Sequence, residues 1–209
     1  MTIPLPGCGI EAQYAGHGGL AMKNGLLVPE NCCLQIIDTQ KSLMAKINGA
    51  GNVAETVELM IHCAKIMDIP IFANTQYKKG LGPYVANLEP LVSDLPQFDK
   101  VEFNALANKD TAAFVEGLPK TVTTMILVGV ETHICIYQTA VGLLEKGFSV
   151  WVVSDGVSSR SDLNHQQGLE RLQVMGAVVG PVEMLIYELL GKAGTPAFKE
   201  VLPYIIKRG

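Results

Sequence analysis

The chain has 209 residues, of which 48% are apolar and 17% charged, and its net charge is −4. At about 150 residues per domain this favours one domain, and a chain of this size buries enough surface for a full hydrophobic core. The composition excludes a disordered chain, and 21 glycines without a repeat exclude a collagen-like one. With no basic run longer than two residues, the acidic balance argues against nucleic acid as a partner.

The absence of an uninterrupted apolar stretch of membrane-spanning length argues against a membrane protein. The opening MTIPLPGCGIEAQ lacks the charged start and apolar core of a secretion signal, and it lacks an Arg-rich presequence. The five cysteines (Cys8, Cys32, Cys33, Cys63 and Cys135) are odd in number and form no CxxC pair. A disulfide framework and a zinc ribbon are therefore not expected, and a reduced compartment fits. The expected location is cytoplasmic, with the mitochondrion left open.

Residues 1–30 are rich in Gly and Pro without a clear period and read as an arm or lead-in, leaving 31–209 as one domain. CCLQIID (32–38) is an apolar run ending in an acid, as expected of a buried strand. Residues 52–68 place Val53, Val57, Met60, Ile61, Ala64 and Met67 on one helical face. IPIFANT (69–75) reads as a second strand, QYKKGLGPY (76–84) as a loop, and the segment around Gln97–Phe103 as a third strand. A short helix follows at 110–117, then the clearest strand, TVTTMILVGV (121–130). THICIYQTAVGLLEKG (132–147) reads as a helix capped by Thr132 and closed by Gly147. FSVWVVSDG (148–156) is a strand, 162–175 a helix, AVVGP (177–181) a strand, and 182–191 and 196–207 are closing helices, the second interrupted at Pro203.

Continuous apolar strands alternating with amphipathic helices imply a parallel sheet covered on both faces. In such sheets ligands bind outside the carboxyl ends of the strands. That edge holds Asp38, then Asn74 to Gln76, Lys100, Glu131 to Cys135, and Asp155. Near the start of its helix, Cys135 lies close to unpaired backbone N–H groups, which lower a thiol pKa and can bind an oxyanion. Asp38 on the same edge is a candidate general base, and Lys100 beside both would favour their charged forms. His133 and Cys135 are two residues apart, so they do not share a helical face. His62 falls off its helix's apolar stripe and is expected to be exposed. No grouping has metal-ligand spacing, and GxGxxG and GxxxxGK[ST] are both absent.

The segments LQIIDTQ (34–40), FDKVEFNAL (98–106) and VGVETHICIYQTA (128–140), with GFSVWVVSDGVSSRS (147–161) and LERLQVMGA (169–177), resemble the isochorismatase-like cysteine hydrolases. TQYKKGLGP (75–83) and GTPAFKEVLPYIIK (194–207) resemble most the isochorismatase domain-containing subgroup, which includes MAR1-type ribonucleases. The resemblance implies a three-layer α/β/α fold with a six-stranded, mainly parallel sheet. It also implies a catalytic triad of Asp38, Lys100 and Cys135, a cis peptide at Val130–Glu131, and an oxyanion hole formed by the backbone N–H groups of Glu131 and Cys135. The nicotinamidases of this superfamily carry Asp and His metal ligands after the second strand, where this chain reads NTQYKKGLG. No metal and no other cofactor is therefore expected.

The resulting expectation is a hydrolase acting on a small-molecule amide or related C–N bond through a thioester on Cys135. Gln76, Tyr77 and His133 are candidate substrate contacts. The alternatives are a non-catalytic binding or scaffold protein with the same fold, and a MAR1-type ribonuclease, against which the charge balance counts. The apolar closing helices and a mean hydropathy of +0.27 lead to the expectation of a homo-oligomer.

Overall fold

A computed structural model describes residues 25–208. Six parallel strands form one sheet in the order β3-β2-β1-β4-β5-β6. They are β1 (Cys32–Ile37), β2 (Ile71–Gln76), β3 (Gln97–Lys100), β4 (Thr124–Val130), β5 (Ser149–Ser158) and β6 (Val178–Gly180). Every residue of β1 and β4 is buried. This explains their unbroken apolar runs, since a central parallel strand is covered on both faces and shows no polar alternation.

The helices among the described residues are α1 (Lys41–Met44), α2 (Ala50–Ile66), α3 (Lys78–Leu81), α4 (Glu89–Val92), α5 (Lys109–Glu116), α6 (Tyr137–Glu145), α7 (Asp162–Val174), α8 (Val182–Leu190) and α9 (Pro196–Arg208). Alternate residues of β1 divide the core. Leu34 and Ile36 pack with residues of α2, α8 and α9 on one face. Cys33 and Ile37 pack with residues of α5, α6 and α7 on the other. The three layers and the parallel sheet agree with the expected α/β/α architecture. Leu27, within the expected lead-in, is buried in the first of these clusters, and its N–H donates to Glu188 Oε1 at 2.8 Å. Cys8 and His17 lie outside the described residues.

Several boundaries differ from the sequence reading. β3 stops at Lys100, and 101–104 is a bend. β5 runs on to Ser158, because its register against β4 jumps from Leu127↔Val152 to Gly129↔Val157. The extra residues include Asp155, which turns away from the strand-end edge. Its Oδ1 accepts from Val182 N at 2.8 Å, and its Oδ2 pairs with Arg208 at 2.8 Å. Asp155 therefore anchors α8 and α9 and stands outside the strand-end cluster. α9 continues through Pro203, which is exposed. His62 is half-buried, with its ring stacked on Tyr204 at a centroid distance of 4.4 Å.

The strand order reverses between β1 and β4, whose neighbours run outward in opposite directions. At that switch point two chain segments leave the sheet side by side, which is where open α/β sheets hold their ligands. Gly129 makes this crossing possible. A Cβ there would lie 1.9 Å from the carbonyl oxygen of Ile37, and the residue's φ is +118°. No other residue fits both the space and the backbone conformation.

Candidate active site

Asp38 directly follows β1, Lys100 closes β3, and β4 leads through Glu131 into the turn that carries Cys135. Asp38 adopts a left-handed conformation, φ 56°, which its short polar side chain tolerates better than a bulky one would. Its N–H donates to Asn74 O at 3.0 Å. Asn74 is itself tied down by a buried polar ladder. It accepts from Gln35 Nε2 at 2.8 Å and donates to Thr111 Oγ1 at 2.9 Å.

Lys100 is almost fully buried. Its Nζ donates to Asp38 Oδ2 at 2.8 Å and to Gln76 Oε1 at 2.6 Å. Asp38 is wholly buried, and its second oxygen, Oδ1, has no hydrogen-bond partner among the described residues. A buried carboxylate oxygen without a partner is costly and marks a position open to an incoming donor.

The peptide between Val130 and Glu131 is cis. The chain then forms a five-residue π turn, Thr132–Ile136, before α6. Glu131, not Thr132, stands at the cap position, and its side chain makes no cap hydrogen bond. The Thr132 hydroxyl is 2.9 Å from His165 Nδ1, so it ties the turn to α7 instead. Gly168 of α7 allows this approach, since a Cβ there would meet Thr132 Cγ2 at 3.0 Å and His133 Cα at 3.1 Å. The Cys135 thiol donates to Gln76 Oε1 over 4.0 Å, and the Glu131 N–H faces its sulfur.

The electrostatics correct one expectation. Burial, and then the Asp38 carboxylate, push the Cys135 thiol up to about 12, against the pull of Lys100 and the Glu131 amide. The start of a helix was expected to lower it. In this site desolvation outweighs the amides, and Cys135 rests as a thiol. Cys32, Cys33 and Cys63 are also pushed up to about 12, mainly by burial. All three are fully buried, whereas Cys135 retains 7% exposure. Burial also pushes Asp38 above the ordinary carboxylate value, with Lys100 as the chief opposing influence. That direction makes Asp38 a stronger base than a surface aspartate.

The fold thus brings Asp38, Lys100, Gln76 and Cys135 together. The Tyr77 N–H donates to Lys100 O at 2.8 Å, but the side chains of Tyr77 and His133 form no hydrogen bond or ion pair with that group among the described residues. Tyr77 is half exposed and has φ 41°, with its ring lying over Gly80. His133 Nδ1 is 3.0 Å from Ser159 Oγ. Two residues of the site, Gln40 and Arg160, carry no role in the sequence reading, and neither does the side chain of Glu131. Gln40 is fully buried, accepts from Gln76 N at 2.7 Å and donates to Gly82 O at 2.8 Å, which locks Gln76 and the following loop to the end of β1. Its only sequence signal is its place two residues after Asp38 in LQIIDTQ. The Glu131 carboxylate and Arg160 form an ion pair at 3.0 Å, which no periodicity announces. No group of three or more His, Cys, Asp or Glu residues among the described residues is placed to hold a metal ion.

The sheet order, the helices on both faces and the switch point between β1 and β4 define a three-layer α/β fold. The isochorismatase domain family model matches residues 32–184, and the chain belongs to that family. It is 33% identical over 180 residues to the secreted isochorismatase effector Isc1 of Phytophthora sojae, covering 85% of each chain. It is 32% identical over 183 residues to isochorismatase domain-containing protein 2 of Xenopus laevis, covering 88% of this chain and 87% of that one. The structure of MAR1 ribonuclease from Caenorhabditis elegans is 33% identical and superposes with a TM-score of 0.80 over 87% of this chain and 93% of the other. These relatives place the chain with the isochorismatase domain-containing, MAR1-type subgroup. The YcaC gene product of Escherichia coli, an octameric hydrolase of unknown specificity, shares the fold at 22% identity and a TM-score of 0.78 over 87% of this chain and 94% of that one. No helix among the described residues is long and apolar enough to cross a membrane.

Proposed function

We propose that this hydrolase cleaves a small amide or related C–N bond, with Cys135 as nucleophile, Asp38 as general base and Lys100 as the charge that keeps Asp38 ionised. One observation carries the reading. Asp38 is buried and ion-paired to Lys100 through one oxygen, and its carboxylate stands within reach of the Cys135 thiol.

Substrate binding displaces the thiol from Gln76 and turns it toward Asp38 Oδ1, which takes the proton. The sulfur attacks the carbonyl carbon, and the negative charge moves to the carbonyl oxygen. The backbone N–H groups of Glu131 and Cys135 stabilise that oxyanion; the Glu131 N–H donates to no backbone or side-chain oxygen among the described residues. The amine leaves with the proton returned from Asp38, and a thioester remains on Cys135. Water, deprotonated by Asp38, resolves the thioester to the acid and restores the thiol. Gln76 acts here by holding Lys100, and Tyr77 and His133 flank the approach to the site. The reaction uses no cofactor.

The name of the C. elegans relative raises RNA hydrolysis as a second reading. The net charge of −4 and the lack of basic runs oppose it, because phosphate contacts dominate RNA affinity. We also infer a homo-oligomer, supported by the octameric fold relative and by exposed apolar side chains on α8 and α9. A screen of small amides and short RNAs with wild-type, Cys135→Ala and Asp38→Asn proteins tests the reading. Amide hydrolysis lost in both variants supports it. Amide hydrolysis retained by Cys135→Ala overturns it, as does RNA cleavage as the sole activity.

A further inference from the structure

Glu131 places an acid beside the reacting atoms that the proposed reaction does not use. Glu131 opens the turn that carries Cys135, and its backbone N–H faces the Cys135 sulfur. The Glu131 side chain is only 9% exposed. An uncompensated carboxylate in such a place opposes every negative charge that the reaction creates.

The fixed cation paired with it comes from a different strand. Arg160 follows β5 by two residues, and its backbone N–H and its Nε each donate to Glu131 Oε2 at 3.1 Å. Its Nε is also 3.0 Å from Oε1. Guanidinium remains charged at every working pH. The contact therefore cancels the acid at the residue whose amide faces the sulfur.

We infer that Arg160 is a positioning residue that acts on this site through Glu131, neutralising its carboxylate so that it does not oppose the charge forming on Cys135. The inference rests on the cysteine-hydrolase reading, although its test does not need a substrate. The other titratable or charged groups around Cys135 are Asp38 from β1, with Asp99 behind it, Lys100 from β3, His133 within the π turn, and His165 of α7 reached through Thr132. Of these, only His133 touches Glu131, its Nδ1 lying 4.0 Å from Oε2, so the Glu131→Gln variants separate its contribution from that of Arg160.

The experiment is the pH dependence of Cys135 alkylation by iodoacetamide, followed by peptide mass, in the full chain. The proteins compared are wild type, Arg160→Met, Arg160→Lys, Glu131→Gln and the Glu131→Gln/Arg160→Met double variant. Arg160→Met is expected to slow alkylation about tenfold at a given pH, equivalent to a rise of about one unit in the thiol pKa. Arg160→Lys retains the charge and stays within about threefold of wild type. Glu131→Gln is as fast as wild type or faster, and the double variant recovers the wild-type profile. A contact that serves structure alone makes the double variant at least as slow as Arg160→Met, and that result overturns the inference; so does an unchanged Arg160→Met. The Arg160 side chain is 58% exposed, so folding should survive its loss. If Arg160→Met does not fold, Glu131→Gln decides alone, since slower alkylation in that variant overturns the charge role. Amide hydrolysis at the wild-type rate by Cys135→Ala overturns the hydrolase reading itself and leaves the alkylation profiles to judge Arg160 separately.

Discussion

At the scale of single residues, the site is a balance of buried charges. Desolvation holds the Cys135 thiol up to about 12, so only a small thiolate fraction exists near neutral pH. Its alkylation rate is expected to climb about tenfold per pH unit between 7 and 10, as for any thiol far below its midpoint. A plateau below pH 8 would show a resting thiolate instead. The Asp38 carboxylate is the second cause of the high value, so Asp38→Asn separates two properties that usually move together. Alkylation should speed up because an opposing charge is gone, while hydrolysis of any substrate found should fall by at least about a hundredfold because the base is gone. Lys100→Met acts in the other direction. It leaves Asp38 buried without its cation, at a cost of about 3–5 kcal/mol near neutral pH. Burial already raises Asp38, and losing Lys100 raises it further, so the native state then binds a proton that the unfolded chain releases. Native stability of this variant is fullest at acid pH and is lost as pH climbs through the raised native value. Its melting temperature relative to wild type should therefore improve between pH 8 and pH 5, and a difference independent of pH would remove Asp38 from the pair.

At the scale of elements, the nucleophile turn is shaped by its neighbours more than by its own residues. Thr132 has the residue type of a cap, yet its hydroxyl meets His165 and the cap position falls to Glu131. α7 reaches the turn through Gly168, and β1 reaches β4 through Gly129. Gly129→Ala is expected to be among the most damaging substitutions in the chain. The added methyl would lie 1.9 Å from the Ile37 carbonyl oxygen, one residue before Asp38. A loss of about 3 kcal/mol or more in urea unfolding is expected, since strands β1 and β4 must part to admit it. A loss under 1 kcal/mol would mean that the crossing relaxes freely. The same dependence on neighbours accounts for β3, the weakest strand in the sequence. Only four residues pair with β2, and the Asn74 ladder and the bond from Asn108 Nδ2 to Asp99 O at 3.3 Å secure the position of Lys100.

At the scale of the whole molecule, α8 and α9 bear on the expected oligomer. Leu185, Leu189 and Val201 turn inward and complete the core of this subunit, which uses part of the apolar surface on which the expectation was based. Met184, Tyr187 and Ile206 remain exposed. Light scattering should give a mass that is a multiple of 22.5 kDa, and Tyr187→Glu should lower it without loss of helical circular dichroism. A single 22.5 kDa species in wild type would show that these helices serve only their own subunit. The sequence by itself determined the parallel three-layer fold, because central strands buried on both faces must be continuously apolar and their connecting helices amphipathic. It also placed Asp38, Lys100 and Cys135 on one edge, because chemistry in such sheets collects at the strand ends. Only the tertiary structure decided the state of the thiol, because desolvation depends on everything packed around the sulfur and not on its helix position. Asp155 was lost to the site through a register jump in β5, and Gln40, Arg160 and the side chain of Glu131 joined it through contacts between segments far apart in the chain. No local period encodes such pairings, since each partner reads on its own as an ordinary polar residue just past a strand.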